Sequence, residues 1–549
     1  MPIARRMGAW TAVGLPLLLL AAGPACRPDE DPDLPAVSVE PAAPVLRRIT
    51  TPQYRNAIRD LFGTEVVAPT KLEPDLSIEG LAAIGSARGT VSSRGVELYE
   101  DAAFLVAEQA VTPGIRGTWL SCTPATTVDD DCASEALGWL AWRAWRRPVS
   151  DEELATLVGI AGASATALDD FHAGLAFGVA TVLQAPSFLY REEVGEPDAH
   201  RRRYSDHELA SRLSFFLWNT IPDEELLSLA DSGDLGIDAV LVEQVQRLLD
   251  DDRSREGLRA FVSELFRLDR LDDLSKDPTL FPHMSEGLGP SAREEALLAF
   301  DHVYLADDDL LDLFTTRRAY VDATLAAVYG VQAPTLDGFG MVVLPEDELR
   351  AGLLGQVAVL SQHAHPTSSS PTLRGKFIRE TFLCQEIPAP PAGVDTSIPE
   401  PSGTAPTLRD RVAEHLLDPS CAACHQLMDP LGLALESYDG IGRYRVRDNG
   451  VIIDASGELD GERFSDARGL GAALAHHPDV GPCFTEQLYR YAAGRVPEVG
   501  ELELLEHIGE RFASEGHSIR HLMLMISLSE AFRYTQAPSG ELPTTEERA

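Results

Sequence analysis

Positive charge is scarce in this chain. Its 46 Lys and Arg stand against 86 Asp and Glu, a formal net charge of −40. A surface so acidic repels nucleic-acid phosphates, so non-specific binding to DNA or RNA is not expected. What the charge leaves open is plain solubility or attraction of a basic redox partner protein. No tight internal repeat is visible, which argues against a solenoid. Asp307-Asp308-Asp309 lacks the full calcium-loop pattern and reads as a solvated helix cap. The apolar stretch Gly14 to Ala22 is too short for an ordinary membrane span.

That stretch reads instead as the core of a secretory leader over residues 1–25. Arg5 and Arg6 precede it, and Gly23-Pro24-Ala25 supplies small or turn-forming residues before Cys26. Gly-Pro-Ala is a loose lipobox, so Cys26 is a candidate lipid anchor to the membrane, with simple cleavage or a retained leader as alternatives. The expected location is exported, periplasmic or cell-surface, as an outer-membrane lipoprotein. Residues 26–45, rich in Pro and acidic side chains, read as a tether.

Cysteine is rare too, seven in 549 residues. Setting aside Cys26, Cys421 and Cys424 leaves Cys122, Cys132, Cys384 and Cys483, which allow three pairings. Cys122–Cys132 would close a local loop, and Cys384–Cys483 would clamp segments on either side of Cys421. Four unpaired thiols are the alternative. An exported chain meets conditions in which disulfides persist.

The patterning is mainly α. Tyr54, Ile58, Leu61 and Phe62 form an apolar stripe, with Thr51 and Pro52 at its start and Gly63 at its end. Helices are expected over 91–110, 134–147, 171–189, 205–218, 222–229, 238–249, 253–269, 291–305 and 318–328. A hairpin or loop follows at 331–346. Ser150-Asp151-Glu152-Glu153 opens a further helix. Trp139, Trp142 and Trp145 read as helix-packing aromatics. The Pro-rich section 388–406 cannot be a regular helix. Beyond it come helices at 407–417, 466–476, 483–493, 499–513 and 517–533, with a strand or turn at 447–459.

Cys421-Ala422-Ala423-Cys424-His425 carries the sharpest chemical signal. CxxCH is the attachment pattern for c-type haem, with two thioethers and the histidine as proximal iron ligand. Zinc or a disulfide would use the same residues. Met523 and Met525 are candidate distal ligands, on different faces of one helix. His363, His365, His415, His476 and His477 are alternatives. Arg443 and Arg445 could pair with propionates through their planar forks. His363 and His365 could also face one side of an extended segment as a redox or metal site. For Arg374, between a Ser-rich turn and Gly375, a structural ion pair is expected.

Several segments together resemble a planctomycete and myxobacterial multidomain haem-motif family. Arg47 to Thr50 with Ile58 to Gly63 resembles the start of DUF1587. Trp145 to Ser150 resembles DUF1595. Ala185 to Arg191 with Ser211 to Trp218 resembles DUF1592. Arg374 to Glu380, the following prolines, Cys421 to His425, Asp429 to Gly432 and Glu436 to Asp439 resemble DUF1588. Leu488 to Arg495 resembles DUF1585. The corresponding regions are 46–110, 134–165, 170–305, 345–445 and 460–535. The resemblance implies a multidomain helical protein with an embedded cytochrome-c-like haem region, and carries over no catalytic residue. The leading expectation is therefore exported electron transfer through covalent haem c. A haem-dependent oxidoreductase or peroxidase, and a cell-surface scaffold or carbohydrate-associated protein, are the alternatives.

Overall fold

A computed structural model describes residues 39–537 except 199–200, 348, 351, 389–399 and 418. The leader, the Cys26 anchor and the centre of the Pro-rich section lie outside the described residues. The described residues belong to one contact unit. It is mainly helical, and its short strands form small two- and three-stranded sheets.

The first layer is a helical bundle of α1 (Thr51–Phe62), α2 (Ser93–Ala110), α3 (Asp130–Trp145), α4 (Asp151–Leu168) and α5 (Phe171–Gln184). Thr50 caps α1 through the Gln53 N–H, while the Gln53 side chain accepts the Thr50 N–H. Ser150 and Glu153 form the same reciprocal cap on α4. The expected apolar stripe of α1 is buried, with Tyr54, Ile58, Leu61 and Phe62 all within one core shared with Leu137, Leu140, Val179 and Leu183. Gly174 permits the close approach of α5 to α4: a Cβ there would lie 2.4 Å from that of Ala165. Trp145 donates to the Val182 carbonyl at 3.1 Å, and Trp139 and Trp142 donate to Glu224 and Asp231 at 3.0 Å each. The tryptophans therefore tie helices together, as large amphipathic rings do.

A two-stranded ribbon follows in space, its second strand packing on the helix Asp206–Leu217. β1 (Val45–Arg48) pairs antiparallel with β2 (Tyr190–Glu193), in a register that sets Arg47 opposite Arg191. The middle region holds α6 (Asp206–Leu217), α7 (Asp238–Asp250), α8 (Ser254–Leu265) and α9 (Leu288–Ala306). Residues 318–328 are only partly helical: β3 (Arg318–Val321) pairs antiparallel with β4 (Gly340–Val343), and the helix is confined to Ala323–Tyr329 between them. Pairing with Gly340 to Val343 takes the first four residues from the helix.

The last region packs α10 (Pro371–Phe382) on α11 (Pro419–Leu433), followed by α12 (Val480–Ala493), α13 (Leu502–Ser514) and α14 (Ile519–Leu528). Two glycines set the α10–α11 distance. A Cβ on Gly375 would sit 1.9 Å from the Met428 carbonyl oxygen, and one on Gly432 would sit 1.8 Å from that of Pro371. Disulfides join Cys122 to Cys132 and Cys384 to Cys483. Among the described residues no helix is long and apolar enough to cross a membrane.

Candidate functional site

The CxxCH segment lies on α11, where Cys421, Cys424 and His425 are partly buried. Helical spacing puts Cys421 and His425 on one face. His425 Nδ1 lies 2.8 Å from Asp429 Oδ2, and Thr372 donates to the other oxygen of that carboxylate at 2.8 Å. Glu436 accepts from Ser369 at 2.9 Å and from Arg445 at 2.7 Å. Arg443 is exposed, its backbone N–H given to Asp439. Met523 and Met525 are buried on α14, which packs chiefly against α7 and α13.

These placements correct the haem expectation. Among the described residues no group of three or more His, Cys, Asp or Glu side chains is placed to hold a metal ion. Both disulfides use other cysteines than the CxxCH pair. The carboxylates of this region are engaged by Arg, Ser, Thr and His within the fold. Haem c, iron binding and electron transfer are therefore withdrawn, with the haem oxidoreductase or peroxidase alternative. Cys421, Cys424, His425, Met523 and Met525 lose their assigned haem roles, as do Arg443 and Arg445. The reason for expecting a redox partner goes with them.

The remaining motif residues are explained by packing. Arg374 is fully buried and donates to the carbonyls of Leu360, Leu435, Tyr438 and Asp439 at 2.7–3.1 Å. It clamps the turn after α11, with Glu436 at 3.7 Å as its ion-pair partner. His363 and His365 do not share an extended segment. His363 ends the short helix Val357–Gln362 and stacks on Phe377, ring centroids 4.2 Å apart. Burial, aided by Arg374, Arg267, Arg270 and Lys276, pushes its imidazole down to about 3, so it stays neutral. Asp307 and Asp309 act at helix ends, accepting from Ser518 and the Leu311 N–H.

Sequence reading passes over a cleft of about 670 Å3 with a mixed polar and apolar lining. One wall comes from the start of α1 and the loop after it, through Thr50, Asn56, Asp75 and Ser77. The other comes from α8, α9 and the turn between them, through Arg259, Glu264, Arg267, Asp269, Asp272 and Arg293. Arg259 is fixed by Asp301 at 2.5 Å and Glu294 at 2.9 Å. Although burial opposes its charge, those bonds hold the guanidinium above its ordinary value. Arg293 pairs with Asp272 at 3.1 Å, while Arg267 and Arg270 are exposed.

Glu264 is the chemically distinctive group here. Its Oε2 accepts the Ala83 N–H at 2.9 Å. Burial, reinforced by the negative charges of Asp75 and Asp269, lifts its carboxyl to about 7 despite that bond. A wall side chain that can hold or release a proton near neutrality is a recognised mark of a working site. The cleft thus combines carboxylates, guanidiniums, hydroxyls and amides, and few large apolar groups. It offers donors and acceptors in close alternation.

Five family models match the chain, each described as a protein of unknown function: DUF1587 over residues 47–112, DUF1595 over 132–193, DUF1592 over 204–331, DUF1588 over 350–448 and DUF1585 over 460–532. No curated protein and no solved structure matches. In this order the five domains identify the chain as a member of the multidomain family that they define.

Proposed function

We propose that this is an exported, cell-surface binding protein whose cleft takes a neutral polyhydroxylated ligand of the saccharide class. The observation that carries the reading is the mixed lining of the cleft. Sugar hydroxyls both donate and accept, so one ligand can satisfy Glu264, Asp269 and Asp272 together with Arg259 and Arg267. A strongly anionic ligand would meet the carboxylates, and a cationic one the guanidiniums. Pockets that bury a ligand place a few fixed polar groups around it, and Arg259, held by two carboxylates, is such a group. Export is supported by the two disulfides, since such bonds persist outside the reducing cytosol.

Titration calorimetry of the purified chain against a panel of neutral oligosaccharides tests this. At least one should bind, and Glu264→Gln and Arg267→Ala should each weaken it about tenfold, the loss of one charge-assisted hydrogen bond. Absence of binding across the panel, or unchanged affinity in both variants, rejects the reading.

A further inference from the structure

Behind the cleft lies a second, much smaller cavity of about 10 Å3, lined by Arg47, Arg191, Thr50, Gln53, Ala83 and Tyr491 among others. That is room for about one water-sized particle. Thr50 lines both cavities, and Ala83, whose N–H meets Glu264 of the cleft, lines the second.

Near this chamber the buried guanidiniums outnumber the carboxylates, of which Glu193 pairs with three guanidiniums and Glu264 acts on the Tyr491 hydroxyl. The β1–β2 register places Arg47 directly opposite Arg191, and like charges so placed repel. Glu193 is their shared partner: Arg47 reaches it at 2.6 Å and Arg191 at 2.8 Å, and Arg212 pairs with its other oxygen. All four side chains are buried. Three guanidiniums therefore share one carboxylate. Arg146, also buried, adds repulsion on Arg191 although it does not line the chamber; Glu192 offsets part of its charge and its hydrogen bonds go to backbone carbonyls. Burial, together with repulsion from Arg47 and Arg212, drives the Arg191 guanidinium well below its ordinary value. An excess of buried charge is costly unless something compensates it.

Two polar atoms add a second, independent observation. Arg191 Nε and the Tyr491 hydroxyl are buried and have no hydrogen-bond partner in the protein. Both residues are more than nine-tenths buried, at 6% and 5% exposure, and both line the chamber. The first turn of α1 also faces it through Thr50 and Gln53, so the positive end of a helix dipole is added to the guanidiniums. Asp75 already accepts the Thr51 N–H there, at 2.8 Å, and offsets part of that field.

We infer that the chamber is a structural binding site for a single small monovalent anion of halide size, held by Arg47, Arg191 and the Tyr491 hydroxyl. The anion offsets the buried guanidinium excess and joins the β1–β2 ribbon to α12. The site is separate from the saccharide reading, since Arg47, Arg191 and Tyr491 line the chamber and not the cleft.

Thermal unfolding should be measured in sodium chloride and in sodium gluconate at equal ionic strength, alongside crystals soaked in sodium bromide. Chloride should raise the melting temperature saturably where gluconate does not, and bromide should give an anomalous peak within hydrogen-bond distance of Tyr491 Oη. Tyr491→Phe keeps the ring and removes one bond to the anion, so the half-saturating chloride concentration should rise about tenfold. Identical melting in the two salts with no bromide peak would overturn the inference and leave the chamber to water.

Discussion

Replacing Glu264 by Gln isolates an acid in the cleft wall whose carboxyl sits at about 7. The amide preserves an acceptor for the Ala83 N–H but carries no proton equilibrium. In the folded protein the Glu264 carboxyl sits at about 7, against an ordinary value of 4.5. The folded state thus binds the proton more tightly than the unfolded chain, and stability from this group is intact below pH 4.5. It falls as pH rises and is lost once pH passes 7. A separation of 2.5 units is worth about 3 kcal/mol, at 1.36 kcal/mol per unit. Urea unfolding of wild type and Glu264→Gln from pH 4.5 to 8 reads this out as a difference between two curves, so other titrating groups cancel. The variant should gain about 3 kcal/mol on the wild type across that range. Parallel curves would mean that Glu264 is solvated and ordinary, and the argument for a working acid in the cleft would fail.

Gly375→Ala should destabilise the protein by about 3 kcal/mol, because its new methyl would collide with the Met428 carbonyl on α11; chemical unfolding at neutral pH measures it. Arg374→Lys should cost about 3 kcal/mol, since an ammonium cannot reach all four carbonyls that the guanidinium fork binds. Removing Cys384–Cys483, which closes a separation of 99 residues, should cost about 4.7 kcal/mol in the chain-entropy account, against about 3 kcal/mol for Cys122–Cys132, with its separation of 10. Paired Cys→Ser variants measured under the same denaturant distinguish the two.

The helices were legible where local chemistry decides them. Ser150 with Glu153 announces α4 and the Tyr54-to-Phe62 stripe points α1 at its core, while the expected start of α1 at Thr51 falls one residue past the observed cap, Thr50. Residues 318–328 misled because Arg318 to Val321 has an edge to pair with only after Gly340 to Val343 folds back. The segment from Pro371 to Phe382 opens like a Ser-rich turn, yet it becomes α10 because α11 lies against Gly375. The CxxCH spacing reads identically whether or not further donors converge on it, and convergence is a property of the packed chain. The cleft left no local mark: Thr50 to Ser77 and Arg259 to Arg293 are joined only by folding. Glu264, within Ser263-Glu264-Leu265, looks like any polar position of an amphipathic helix. The Arg47–Arg191 opposition also depends on a strand register between segments far apart in sequence.

The central claim, that the cleft between the start of α1 and the α8–α9 turn is where this protein meets its ligand, is tested most directly by a crystal structure grown with the tightest-binding neutral oligosaccharide. Sugar hydroxyls should lie within hydrogen-bond distance of Glu264 and of Arg259 or Arg267. A saccharide seated elsewhere on the chain, with the cleft holding only solvent, would contradict it.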